Sequence, residues 1–207
     1  MKKTKESALQ TKEILLETGL TVFNRKGYSR TRLEDIANAA GLSRGAIYHH
    51  FENKAQLFKA IIISRIKSII DVFEGISAES SNPIQSIKNT LAEILIKIEQ
   101  DNDLRMFANL FSKTHFKDEL AELEEHRDYS SWKEFKILIK ALTECKRRGQ
   151  IKHDINLNTF AFTLIAVIDG TFRLYIRSPE MISLNENAHQ IIDYLFKGVE
   201  PASVTIN

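Results

Sequence analysis

The segment from Thr31 to Phe51 constrains the fold most, because its pattern is that of two short helices separated by one glycine. Four apolar residues recur at helical spacing and predict the buried face of the first helix: Leu33, Ile36, Ala37 and Ala40. Gly41 follows them, and glycine readily adopts the backbone angles that a tight turn needs. The sequence therefore predicts a compact helix-turn-helix near the start of the chain.

Capping residues mark where the helices of this segment begin. Thr31, followed three residues later by Glu34, predicts a capping box on the first helix. Ser43 is expected to cap the second helix, and Asn53 the helix after it. Leu42 and Ile47 are then expected to point inward, which leaves the opposite face of the second helix exposed.

The rest of the 207-residue chain predicts an all-α fold of about nine helices, since we find no convincing alternating strand pattern. Only three prolines and eight glycines interrupt the sequence, which also favours helices. We expect an N-terminal helix-turn-helix domain over residues 1–52 and a larger helical bundle over residues 53–207. Residues 1–6 are expected to form a frayed basic arm. The expected helices outside the central pair cover residues 7–26, 53 to beyond 70, 83–100, 103–113, 117–148 with a break near 126–131, 157–177 and 185–198.

Charge is distributed unevenly along the chain. Residues 1–60 hold eleven Lys or Arg against six Asp or Glu, whereas the remainder holds 18 against 21. A basic end on a mildly acidic body indicates that this end meets a polyanion.

The single cysteine, Cys145, excludes an intramolecular disulfide and favours a cytoplasmic location. Its three basic neighbours, residues 146–148, are expected to lower the pKa of the thiol. The uninterrupted apolar runs are only a few residues long, so we expect no membrane-spanning segment.

The exposed face of the second helix carries side chains suited to reading a DNA major groove. Arg44 can donate two hydrogen bonds to a guanine edge, and Gly45 and Ala46 keep the surface low. Tyr48 and His49 are expected at phosphates. The residue types alone leave a plain helical hairpin open as the alternative. The full set of predicted DNA contacts is Thr31, Arg32, Ser43, Arg44, Gly45, Ala46, Tyr48, His49 and Lys54.

Residues 10–60 resemble the DNA-binding domain of TetR-type transcriptional repressors. The resemblance is carried by Phe23, Gly27-Tyr28, Thr31, Asp35-Ile36-Ala37, Ala40-Gly41-Leu42-Ser43, Gly45, Tyr48-x-His50-Phe51, Lys54 and Leu57-Phe58. Tyr48 and Lys54 match family positions that contact phosphate. Thr18-Gly19 departs from the small alanines usual there. The resemblance implies a homodimeric, ligand-responsive repressor of operator DNA, similar to the subgroup that represses multidrug efflux pumps.

Two further sites are predicted in the C-terminal region. Residues 157–177 are apolar nearly all round, which is typical of a helix covered on several sides, and a partner subunit is one such cover. The expected dimer contacts are Phe160, Leu164, Ile168, Tyr175, Ile191 and Leu195. A small apolar effector is expected to contact Ile62, Ile66, Ile70, Phe107, Phe111, Trp132 and Phe172. Ordinary core packing is the alternative for both sets.

The residues offer no pattern for catalysis, for a metal site or for a cofactor, so we expect neither an enzyme nor a metalloprotein. Several alternatives to an efflux-pump repressor stay open. These alternatives are a TetR-type regulator of lipid or other metabolism, a DNA-coating protein without an effector, and a helical enzyme or ligand carrier that merely contains a helical hairpin.

Overall fold

The structure, a computed structural model, describes residues 2–115, 117–127 and 133–201. Within these ranges it contains nine α-helices and two 3₁₀ helices, which confirms the all-α prediction. The helices are α1 (Lys2–Lys26), α2 (Leu33–Ala39), α3 (Arg44–His50), α4 (Lys54–Phe73), α5 (Pro83–Gln100), α6 (Asn102–Lys113), α7 (Lys133–Arg147), α8 (Leu157–Arg177) and α9 (Leu184–Lys197). The 3₁₀ helices are Asp118–Arg127 and Pro179–Met181.

The chain divides into two compact units, and their limits differ from the expected domain boundary after residue 52. The first unit comprises residues 1–67 and 102–127, and the second comprises residues 68–101 and 128–207. Helix α6 and the first 3₁₀ helix thus group with the N-terminal helices, although they are distant in sequence. The expected boundary between the N-terminal domain and the helical bundle, at residues 52 and 53, stays a prediction.

The first unit is built around α1, which packs against α2 and α6. Its core is aromatic at one end: the rings of Phe23 and Phe58 meet edge to face with centroids 5.1 Å apart, and Tyr28 packs against both. Edge-to-face pairs of this kind stabilise a core beyond the area they bury. This cluster fixes the loop after α1, from which α2 begins.

Helix α1 begins at Lys2, so the expected frayed arm over residues 1–6 is wrong for residues 2–6. These residues include good helix formers and lack both glycine and proline, so the helix continues back to Lys2. Gly27 ends α1 as predicted, and its φ of +78° is a conformation that glycine adopts at little cost.

The second unit is built around α5, which packs against α7, α8 and α9. Asn82 caps α5 as predicted, because its side-chain oxygen accepts a hydrogen bond from the backbone N–H of Gln85. The buried face of α5 includes Ile87, Leu91 and Leu95, each at most 1% exposed. The segment predicted over residues 117–148, with a break near 126–131, contains the first 3₁₀ helix and then α7, so its first part differs from the prediction in being a 3₁₀ helix.

Helix α8 buries two of the residues that are predicted at the dimer interface. Phe160 is 7% exposed and Leu164 is fully buried, and the Phe160 ring packs edge to face on Phe196 of α9. These two residues belong to the core of the second unit in the single chain, and their predicted contact with a partner stays a prediction. The helix is also the one in the described ranges that is long and apolar enough to span a membrane by length and composition, although its apolar runs are short. That test concerns length and composition alone, and the buried side of α8 packs within its own unit as a core helix does.

Cys145 corrects a prediction about its reactivity. The thiol is fully buried, and burial raises its pKa to about 11 even though Arg148 acts in the opposite direction. Desolvation of the thiolate outweighs the neighbouring positive charge. The basic flanking sequence therefore does not activate this cysteine.

Candidate nucleic-acid interface

Helix α3 presents one exposed face, and its ends are fixed by local hydrogen bonds. Ser43 caps it as predicted, because the Ser43 hydroxyl accepts a 3.2 Å hydrogen bond from the backbone N–H of Ala46. Ile47 is fully buried and holds the helix to the unit, and Phe51 is buried directly after it. Arg44 and Tyr48 lie on the opposite side, where the Tyr48 side chain is 41% exposed.

The turn between α2 and α3 is as short as the sequence predicts. Gly41 has a φ of +67°, in the left-handed region that strains residues with a β-carbon. The backbone N–H of Leu42 then donates to the Ala37 carbonyl at 2.9 Å, which closes the turn. The two helices are thus held as a helix-turn-helix, the arrangement that places a second helix in a major groove.

The carboxylate of Glu34, on α2, joins the two exposed side chains of α3. The Tyr48 hydroxyl donates a 3.0 Å hydrogen bond to Glu34 Oε1, and Arg44 Nε lies 3.3 Å from the same oxygen. The Arg44 guanidinium also lies 5.4 Å from the centre of the Tyr48 ring. Hydrogen bonds from its own backbone N–H and from Tyr48 lower the pKa of Glu34, so the carboxyl is ionised near neutral pH.

The start of α2 differs from the predicted capping box. Arg32 is the N-cap, and its backbone N–H donates to Asp35 Oδ2 at 3.0 Å. The Thr31 hydroxyl instead donates to the Gly27 carbonyl at 2.8 Å, and Thr31 is 2% exposed. The hydroxyl hydrogen of Thr31 is therefore engaged within the protein, and the predicted phosphate contact of Thr31 stays a prediction. Glu34 is left free to pair with α3.

Lys54 has a structural role that the sequence did not predict. Its ammonium donates to the backbone carbonyls of Tyr28 at 3.0 Å and Ser29 at 3.4 Å. It also lies 4.3 Å from the centre of the Tyr28 ring, within range of a cation–π interaction. Lys54 thus fixes the loop between α1 and α2, and its predicted phosphate contact stays a prediction.

Four other predicted DNA contacts lie on accessible surface: Arg32, Gly45 and His49 are exposed, and Ala46 is half-buried. His49 neighbours His50, with ring centroids 5.3 Å apart. Burial, followed by the charges of His49 and Lys12, lowers the pKa of His50. The basic character of this surface near neutral pH therefore comes from arginine and lysine rather than from His50.

The predicted effector contacts fall in both units. Ile62, Ile66, Phe107 and Phe111 belong to the first unit, and Ile70 and Phe172 belong to the second; Trp132 lies outside the described residues. Ile62 is fully buried, and the Phe107 and Phe111 rings lie 5.6 Å apart. Two open surface cavities of about 390 and 420 Å³ are lined by other residues, Glu17 and Arg25 among those of the first, and Lys140 and Arg148 among those of the second. The effector contacts therefore stay a prediction.

The remaining predicted dimer contacts are only partly accessible. Tyr175 is 9% exposed, whereas Ile168, Ile191 and Leu195 are half-buried at the surface of the second unit. Two aromatic side chains of the same helices are more exposed, Phe162 at 65% and Tyr194 at 59%. In the described parts of the chain, no three His, Cys, Asp or Glu side chains are grouped so as to hold a metal.

This fold and this exposed helix define a helix-turn-helix DNA-binding protein. Two family models match the chain: "Bacterial regulatory proteins, tetR family" over residues 15–61, and "MAATS-type transcriptional repressor, C-terminal region" over residues 82–200. The second alone covers more than half of the sequence. The chain belongs to the TetR family of transcriptional regulators, which are DNA-binding repressors and not enzymes.

Several similar proteins agree with this assignment. The regulator TtgR of Pseudomonas putida is 28% identical over 93% of this chain and 93% of its own. The probable acrEF/envCD operon repressor of Escherichia coli is 28% identical over 97% and 91%. The structure of NalD, the secondary repressor of the MexAB-OprM multidrug efflux pump in Pseudomonas aeruginosa, superposes with a TM-score of 0.76 at 25% identity, over 95% of this chain and 99% of that one.

Two functional features escaped prediction from the sequence. Glu34 was interpreted as a capping residue, because helix-start patterns assign a Glu at the third helical position to the cap. The Lys54 contact was missed because Tyr28 and Lys54 are 26 residues apart. A matching charge and carbonyl at that separation carry no local signal, so only the packing of α1 against α4 reveals them.

Proposed function

We propose that the protein is a cytoplasmic homodimeric repressor in which the two α3 helices enter successive major grooves of an inverted-repeat operator. The observation that carries this proposal is the face of α3, where Arg44, Gly45 and Tyr48 are exposed on a helix anchored by the buried Ile47. Exposed arginine at the start of a reading helix suits bidentate recognition of guanine. Arg32 and His49 are placed to contact phosphates, which position the protein but do not specify sequence.

Helices α8 and α9 support the dimer. Phe162, Leu174 and Tyr194 are each about 60% exposed in the single chain, on helices whose other sides are buried. Exposed apolar area of this extent is costly in water and is typical of a surface that a partner covers. A β-carbon on Gly170 would meet nothing within 4 Å in the single chain, which leaves room for the close approach of a second helix.

We further propose that a small apolar effector binds the C-terminal region and releases the operator. The carboxylate-free run of isoleucines on α4, from Ile61 to Ile63 and on through Ile66 to Ile70, favours an apolar over a cationic ligand. An effector acts only if it binds the DNA-competent and DNA-incompetent conformations unequally. Because NalD, named above, is the secondary repressor of a multidrug efflux pump, we propose a multidrug efflux pump as the regulated gene product.

Selection of bound fragments from the sheared genome of the source organism tests the DNA-binding proposal. We expect a few sites that share an inverted repeat, next to genes for an efflux pump. Broad recovery without a shared motif would instead identify a DNA-coating protein, and sites beside metabolic genes would identify a metabolic regulator. Saturation with a panel of apolar drugs should release the selected operator, and no change in affinity across the panel would overturn the effector proposal.

A further inference from the structure

The carboxylate of Glu34 is the unusual feature of the α3 surface, because it places a negative charge where DNA is expected to approach. It contacts Tyr48 through the 3.0 Å hydrogen bond and Arg44 through the 3.3 Å ion pair. Its side chain is 38% exposed, so solvent reaches it from the outer side. An ion pair this exposed contributes little to folding, which leaves the effect on DNA binding as its main consequence.

We propose that Glu34 is a specificity-determining residue that penalises the binding of Arg44 and Tyr48 to phosphate while leaving Arg44 able to read a base. This inference rests on the proposed function. The Tyr48 hydroxyl has one hydrogen to donate, and in the free protein it donates that hydrogen to Glu34. A phosphate must therefore displace the carboxylate before Tyr48 can donate to the DNA backbone.

Arg44 differs from Tyr48 because its guanidinium has five N–H groups. The contact with Glu34 uses Nε and leaves the two terminal nitrogens, whose paired N–H groups match the O6 and N7 acceptors of guanine. Reading a base is thus compatible with the Glu34 contact. If the same guanidinium binds a phosphate, that phosphate lies beside the Glu34 carboxylate. The repulsion between these two negative groups is what disfavours phosphate binding by Arg44.

The test compares two duplexes of equal length, the selected operator and a shuffled version, by fluorescence anisotropy of the full-length protein. At about 0.1 M salt we expect Glu34→Gln to bind the shuffled duplex roughly threefold more tightly than wild type. With the operator affinity unchanged, the ratio of operator to shuffled affinity should therefore fall by about threefold. Glu13→Gln removes the same charge from an exposed site on α1 and should leave the ratio unchanged.

The same measurement in an Arg44→Ala protein tests whether Glu34 acts through Arg44. If Glu34 acts through Arg44, Glu34→Gln should have little further effect on the ratio once Arg44 is absent. A Glu34→Gln variant that folds and keeps the wild-type ratio overturns this proposal while the proposed function stands. A wild-type protein that itself shows no operator preference overturns the proposed function, and the specificity proposal fails with it.

A second measurement needs no DNA. In the NMR spectrum of the free protein, the Nε–H signal of Arg44 should shift and exchange faster with solvent in Glu34→Gln than in wild type. An identical signal in the two proteins would show that the carboxylate does not hold the guanidinium in solution, and would overturn the proposal independently of any binding result.

Discussion

Gly19 of α1 and Ile61 of α4 approach so closely that a β-carbon on Gly19 would lie 2.8 Å from Ile61 Cδ1. Ile61 is 1% exposed, so its side chain has little room to move away. The family's usual small alanine is therefore replaced here by a residue with no side chain, and α4 packs against α1 at that point. The absence of a side chain at Gly19, where the sequence departs from the family pattern, thus makes room for the bulky Ile61.

The Gly19–Ile61 contact predicts that Gly19→Ala changes stability by different amounts in two backgrounds. Gly19→Ala alone should give little or no stabilisation, because the clash offsets the helix propensity gained. In an Ile61→Val protein, which lacks Cδ1, Gly19→Ala should raise the free energy of unfolding by about 1 kcal/mol. Urea unfolding of the wild type, the two single variants and the double variant, at one protomer concentration, measures this double-mutant cycle. An equal effect of Gly19→Ala on the free energy of unfolding in both backgrounds would contradict the contact.

The buried thiol of Cys145 predicts low chemical reactivity. With a pKa of about 11, almost no thiolate is present at pH 8, and the sulfur is shielded from solvent. We expect the native protein to react with a disulfide reagent at least about a hundredfold more slowly than the urea-unfolded protein. Fast stoichiometric labelling of the native protein would contradict this prediction and would show that the site opens to solvent.

The ammonium of Lys54 predicts a loss of stability on its removal. Lys54→Met keeps the aliphatic chain but removes the donors to the Tyr28 and Ser29 carbonyls. We expect the free energy of unfolding to fall by about 1–2 kcal/mol and DNA affinity to fall with it. Lys67→Met, at an exposed site on α4, is the control and should change stability little. Unchanged stability in Lys54→Met would contradict a structural role for Lys54 and leave only its predicted contact with DNA.

The exposed ring of Phe162 predicts a dimer interface. Phe162→Glu should raise the dimer dissociation constant by roughly a hundredfold or more, because an unpaired charge would be buried against the partner. Sedimentation velocity over a range of protein concentrations measures the effect. Lys136→Glu, at an exposed site on α7, should leave the dimer intact. An unaltered dimer in Phe162→Glu would place the interface elsewhere.

The lowered pKa of His50 predicts acid sensitivity. Because the unfolded chain binds a proton near pH 6.5 and the folded protein binds it only at lower pH, the stability present above pH 6.5 is lost as the pH falls. Thermal unfolding at pH 7.5 and pH 5.5 should show a smaller decrease in Tm for His50→Gln than for wild type. His153→Gln, at an exposed site, serves as the control. Equal decreases in all three proteins would exclude His50 as a source of the acid sensitivity.

The helix-turn-helix was predictable because its signals are local. Apolar spacing, a glycine in the turn and a serine cap all lie within about four residues of the groups they act on. Helix α8 was predicted with its observed bounds for the same reason. Its buried face was not, because a helix that is apolar nearly all round gives no periodic signal to separate Phe160, which is buried, from Phe162, which is exposed.

By itself, the sequence determined the all-helical class, the turn at Gly41 and the exposed reading face, since these follow from backbone geometry and short-range hydrogen bonding. Only the tertiary structure decided where polar groups distant in sequence find their partners. It directs Glu34 to α3 rather than to a cap, Thr31 to a carbonyl and Lys54 to the loop after α1. The physical reason is that a side chain able to bond several partners takes the one that packing brings within about 3 Å, and sequence spacing does not record that distance.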